Sequence, residues 1–154
     1  MRYIHYNANP ARKKTNDCII RSLSLAYDKT WIEVFDELTE IARENFDVVT
    51  SKEVYAEYLQ KHGAEYIKTM TKYSRLSGRD FAGQHQEGVY ILRMANHLTV
   101  CKQGKIYDTW DCTDKMVYHR GYGFGYASFL FAILANSCLG SKHLSIPTDT
   151  RMNI

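Results

Sequence analysis

Cys18, His97 and Asp108 are the side-chain types that nucleophilic acyl chemistry uses. A thiol attacks, an imidazole takes its proton, and a carboxylate fixes the tautomer and orientation of the imidazole. Spacing joins two of them. If Gln103 and Gly104 form a two-residue loop between the runs His97–Lys102 and Lys105–Trp110, paired positions sum to 207. His97 then faces Trp110, Thr99 faces Asp108 and Cys101 faces Ile106, and strand alternation puts all six on one face. Asp108 lies diagonal to His97, about 7–8 Å away at the backbone, within reach of an imidazole and a carboxylate leaning together. A three-residue loop shifts the sum to 208, turns Asp108 to the opposite face and brings Asp111 opposite His97. Lys-Gln-Gly-Lys suits an even loop, so Asp108 is the expected acid and Asp111 its substitute.

The elements that must present these groups follow from periodicity. After a basic, Asn-rich opening through Lys14 that reads as an extended arm or loop, Thr15 or Asn16 is expected to cap a helix. Ile19, Ile20, Leu23, Ala26 and Tyr27 fall at helical spacing, which puts Cys18 in the first turn. Helix dipole and unpaired amides favour thiolate there, and the same amides serve an oxyanion, with the Asn16 side chain as a further donor. Cys101, Cys112 and Cys138 read as small buried residues. No paired Cys or His spacing of a structural zinc site occurs, so neither metal nor cofactor is expected.

Thr30 with Glu33 is a capping-box pattern, followed by Trp31, Val34, Phe35, Leu38, Ile41 and Ala42 at three- and four-residue steps. A third helix is expected from Ser51, with Gly63 stopping it. Beyond Gly63 the pattern shortens. Glu65–Thr69 reads as a strand, Asp80–His85 as a helical turn and Gly88–Met94 as a buried strand; Met116–His119 reads as an edge strand and Tyr126–Asn136 as a buried helix stopped by Gly140. Helices followed by a run of strands imply a single α+β domain over 1–154, its N-terminal helices packed on an antiparallel sheet.

With 154 residues, 45% hydrophobic and 24% charged, the composition excludes a disordered chain or a disulfide scaffold. A net charge of +3 is too small to point to nucleic acid. It is unevenly spread, the segments 1–30, 31–65 and 66–154 carrying +4, −6 and +5. No apolar run reaches the roughly 18–20 residues of a membrane span. The opening lacks the apolar stretch of a secretory signal, from which a cytoplasmic location with reduced thiols is expected. Gly121, Gly123 and Gly125, interleaved with aromatic residues, suggest a flexible loop beside a cleft.

Asp17-Cys18 ahead of a Leu- and Ala-rich helix, then Asn96-His97-Leu98-Thr99-Val100 and Tyr107-Asp108 after a short turn, resembles the papain-like cysteine peptidase superfamily. Within it, the pattern is most similar to peptidases that process double-glycine leader peptides. The opening Tyr-Asn-Ala-Asn-Pro and the segment Asn96–Cys112 also resemble small proteins encoded by phages and prophages of Gram-positive bacteria. The resemblance implies a papain-like fold with Cys18 as nucleophile, His97 as general base and then acid, and Asp108 as orienter. It implies a thiol hydrolase, a cysteine peptidase or amidase, acting on a peptide or protein in the cytoplasm, which is the host's if the chain is phage-encoded. Such peptidases carry a Gln six residues before the Cys as oxyanion donor; Arg12 stands there, leaving Asn7, Asn9 and Asn16 as replacements. Two other functions fit the same fold: an acyl transferase using the same triad, and a non-catalytic phage-encoded protein that binds a host protein.

Overall fold

In the computed structural model, residues 2–66, 74–117 and 131–133 are described. The described chain runs β1 (Tyr3–His5), α1 (Cys18–Tyr27), α2 (Trp31–Glu44), α3 (Lys52–Lys61), β2 (Glu65–Tyr66), β3 (Leu76–Ser77), α4 (Gly78–Gln84), β4 (Val89–Met94), β5 (His97–Lys102), β6 (Lys105–Asp108), β7 (Met116–Val117) and β8 (Phe131–Ile133). It is a mixed α+β fold. Six strands form one sheet in the order β1-β6-β5-β4-β8-β2, and β3 pairs with β7 separately.

Local sequence explains most boundaries. The Thr30 side chain accepts from the Glu33 amide while Glu33 reaches back to Thr30, so both halves of the capping box at α2 form. Ser51 and Ser77 cap α3 and α4 in the same way, through their hydroxyls. Gly63 follows α3 at φ +68°, a backbone that favours glycine at a helix end.

The sheet separates two apolar clusters. Ile19, Ile20 and Leu23 of α1 pack with Val34 and Leu38 of α2, Val54 and Leu59 of α3, and the strand residues Val89, Ile91, Leu98 and Val100. Leu92, Met94, Cys101 and Ile106 instead meet Phe81 and Ala82 of α4, with Cys112 and Val117. Alternate residues of β4 and β5 therefore serve opposite faces, and the three N-terminal helices share one of them.

Four expectations need correction. The sheet is mixed, because β1 lies parallel to β6, with His5 opposite Asp108; the N-terminal arm covers the hairpin's outer edge, which would otherwise leave unpaired amides. The helix expected across Tyr126–Asn136 is a strand at Phe131–Ile133, paired with both β4 and β2. An apolar run of that length fits either element, and the open edge of β4 decides it. The cap of α1 is Asp17, neither Thr15 nor Asn16. The sixth strand ends at Asp108, short of Trp110. The remainder of the Tyr126 segment, Gly140, the glycines at 121, 123 and 125, Thr69, His119 and Cys138 lie outside the described residues.

Candidate active site

Cys18 is the first residue of α1 and is half-buried. Asp17 before it sits at φ −107° and ψ 23°, and its side chain makes no capping bond to the helix's first amides. With no side chain capping it, the positive end of α1 acts on the sulfur. The buried Ser22 hydroxyl donates to the Leu98 carbonyl at 3.0 Å, fixing α1 against the start of β5. Cys18 thereby lines the same cavity as His97 and Leu98, and both act on the titration of its thiol.

The hairpin register is the even one. Cys101 pairs with Ile106 and Val100 with Tyr107, which is the sum of 207, across a loop whose residues Gln103 and Gly104 both have positive φ, +51° and +68°. That backbone matches the twist of the flanking strands. His97 at the start of β5 and Asp108 at the end of β6 meet, Nε2 to Oδ2, at 2.6 Å. The Trp110 ring lies beside the imidazole, centroids 5.3 Å apart. Asp111, the substitute acid, accepts instead from the Thr113 amide at 3.0 Å and its hydroxyl at 2.6 Å.

Electrostatics favour the charged form of each group. Burial pushes the Asp108 carboxyl up, but the His97 hydrogen bond and charge, Thr99 and the Thr109 amide bring it below its ordinary value. Burial pushes the His97 imidazole down; hydrogen bonds with Asp108, Cys112 and Cys18 outweigh this and raise it to about 11. Burial pushes the Cys18 thiol up, and His97 together with the Leu98 backbone bond carries it below its ordinary value. Both shifts run toward a thiolate facing an imidazolium.

A buried ion network beneath the pair escapes sequence reading. Asp17, 3% exposed, binds the Arg21 guanidinium and accepts from Asn9 Nδ2 at 3.1 Å and Trp31 Nε1 at 2.9 Å. Arg21 turns its other nitrogen toward Asp108 Oδ1 at 3.6 Å. The nucleophile's helix and the carboxylate's strand are thus joined through one guanidinium. The Asp17–Arg21 spacing of four residues was the available signal, since it puts both on one helical face.

The network also sorts the asparagines. Asn9 is buried, with its amide nitrogen on Asp17 and its oxygen accepting from the Ala11 amide at 3.0 Å. Asn7 accepts from the Asn9 amide at 3.0 Å. Asn16 is exposed and lines the cavity that holds Cys18.

That cavity has a volume of about 660 Å³, with Cys18, His97, Asn16, Tyr55 and Trp110 among its lining residues. The other described cysteines are closed off from it. Cys101 is fully buried and burial raises its thiol to about 11. Cys112, also fully buried, donates from its sulfur to Asp108 Oδ2 at 3.7 Å. Only Cys18 among the described cysteines can meet a substrate.

His97, Asp108 and Cys112, whose ligand atoms lie within 4.8 Å of one another, are the one set among the described residues with donors for a metal ion. Two ligands of a tetrahedral ion with bonds of about 2.0 Å lie about 3.3 Å apart. The His97–Asp108 separation of 2.6 Å is that of a hydrogen bond. Arg21 already balances the carboxylate, so the set fits proton transfer better than metal ligation.

No helix among the described residues is long and apolar enough to cross a membrane. No protein-family model, curated protein or solved structure matches the chain.

Proposed function

We propose that the protein is a thiol hydrolase, a cysteine peptidase or amidase, that cleaves an amide or isopeptide bond through a thioester on Cys18. The supporting observation is the His97 imidazole, hydrogen-bonded to Asp108 at the wall of an open cavity that Cys18 also lines, with imidazole and thiol near enough to shift each other's titration. The Cys18 thiolate attacks the carbonyl carbon, and the oxyanion is received by the amides that open α1 and by Asn16. The His97 imidazolium gives its proton to the leaving nitrogen as the C–N bond breaks, leaving the thioester. His97, now neutral, takes a proton from water as the water oxygen attacks. The C–S bond breaks, the acid departs, and thiolate and imidazolium are restored. Asp108 holds the ring in orientation throughout.

Alkylation mapped by mass spectrometry tests this. Near neutral pH Cys18 is expected to react faster than Cys101, Cys112 and Cys138, and His97→Ala to slow it. Equal rates for all accessible thiols would overturn the proposal in favour of a binding protein.

A further inference from the structure

Among the described residues, four lysine and arginine side chains and no carboxylate line the cavity over Cys18, beside His97: Lys14, Arg21, Lys52 and Arg93. They are not equivalent. The Arg21 charge is met by Asp17 and Asp108, and Lys52 has an interaction of its own. Arg93 and Lys14 enter no salt bridge among the described residues.

Arg93 is placed close to the chemistry by the sheet. It stands opposite Leu98 in the ladder between β4 and β5. Residues so paired lie about 4.5–5.5 Å apart at Cα. Leu98 follows His97 in the chain and lines the cavity with Cys18. Alternation along β4 puts Arg93 on the face of Val89 and Ile91, the face on which α1 packs. Tyr55 lines the same cavity as Arg93; burial pushes its phenol up and the Arg93 charge pulls it down. Glu53 also acts on Tyr55 but is exposed and is not part of the lining.

A guanidinium in the wall of a cavity that holds no opposing carboxylate among the described residues suits a carboxylate ligand, since its planar fork matches the two oxygens. We infer that the cleft takes an anionic acyl substrate, an acidic peptide whose carboxylate, close to the scissile carbonyl, is received by Arg93 and steered by Lys14. This rests on the thiol-hydrolase reading of Cys18. Lys14, on the exposed arm preceding α1, extends the positive wall toward solvent. Trp110, 43% exposed, lines the same cavity and offers an apolar surface.

The experiment compares iodoacetate with iodoacetamide at Cys18, two reagents with the same leaving group that differ by one negative charge. The readout is the ratio of their rate constants, which cancels any change in thiol activation. Arg93→Gln is expected to lower the iodoacetate-to-iodoacetamide ratio about five-fold, and Lys14→Gln about two-fold, as befits single charges at cleft distances. In the wild-type protein 0.5 M salt is expected to lower the ratio in the same direction, at a Debye length of about 4 Å. A hexaglutamate peptide is expected to slow the iodoacetamide reaction, and a single-stranded oligonucleotide of equal charge to leave it unchanged. An unchanged ratio in both variants, or protection by the oligonucleotide instead of the peptide, would overturn the inference. Lys14→Gln lies on exposed backbone, so at least one variant keeps the fold. If Cys18 proves unactivated and His97→Ala has no effect, the hydrolase reading fails while the ratio still reports the charge of the cleft.

Discussion

His97 Nε2 and Asp108 Oδ2 stand 2.6 Å apart, and the other oxygen of that carboxylate accepts the Thr109 amide at 2.7 Å and faces Arg21 at 3.6 Å. Asp108 is therefore anchored independently of the ring it orients. A carboxylate fixed in this way selects the imidazole tautomer that keeps the second ring nitrogen for the thiol.

Asp108→Asn removes the charge that raises the imidazole while keeping the shape, and with it the smaller effect by which that charge itself raises the thiol. Each pKa unit by which Cys18 then rises costs about ten-fold in thiolate at neutral pH. Alkylation of Cys18 at pH 7 is expected to slow by about that factor or more. Asp111→Asn, which alters only a turn with Thr113, is expected to leave the rate unchanged. Equal effects of the two would reject Asp108 as orienter.

The pH profile separates the thiols. Alkylation of Cys18 is expected to show a midpoint below 9.0, its ordinary value, because His97 and Leu98 outweigh burial. In His97→Ala the burial remains without its compensation, so the midpoint moves above that of the wild type. Cys101, raised to about 11, stays unreactive near neutrality in the folded protein. Rates followed residue by residue from pH 5 to 10 check all three.

Arg21 is the common partner of two buried carboxylates. Removing it leaves both uncompensated, and Arg21→Ala is expected to cost about 3–5 kcal/mol in urea unfolding. Trp31→Phe deletes one donor to Asp17 and is expected to cost about 1–2 kcal/mol. A loss below about 1 kcal/mol for Arg21→Ala would show that water reaches the network.

Stability should depend on pH with a definite sign. The Asp108 carboxyl is lowered by folding, so its contribution is present above its unfolded value of about 3.9 and is lost as pH falls through the folded one. The His97 imidazole is raised, so its contribution is complete below about 6.5 and disappears as pH rises toward 11. Their joint contribution is largest between about pH 4 and 6.5. In a Cys18→Ala background, which removes the thiol's own titration, the stability lost by His97→Gln is expected to be greater at pH 5.5 than at pH 10. Denaturant midpoints at the two values measure it.

What the sequence disclosed depended on the range of the interaction. Alternation and loop length are local, so the pairing of Cys101 with Ile106 and the shared face of His97 and Asp108 could be worked out before any coordinates. The Thr30–Glu33 capping box is equally local. The separation of 79 positions between Cys18 and His97 leaves only the residue types, the helix-start placement of the thiol and the family resemblance to link them, because no periodicity couples a helix start to a distant strand. For the same reason the junction of Arg21 with Asp108 and the parallel pairing of Tyr3 with Ile106 went unread. Phe131–Ile133 was assigned to a helix because a short apolar run carries no period of its own.

The turn at Gln103 and Gly104 limits how this molecule can change length. One residue inserted between those positions would rotate every side chain of β6 to the opposite side, sending Asp108 away from the ring and Ile106 out of its cluster. Two inserted residues would restore both. Descendants of this chain can therefore lengthen that hairpin tip only in pairs if they are to keep the acid beside the imidazole.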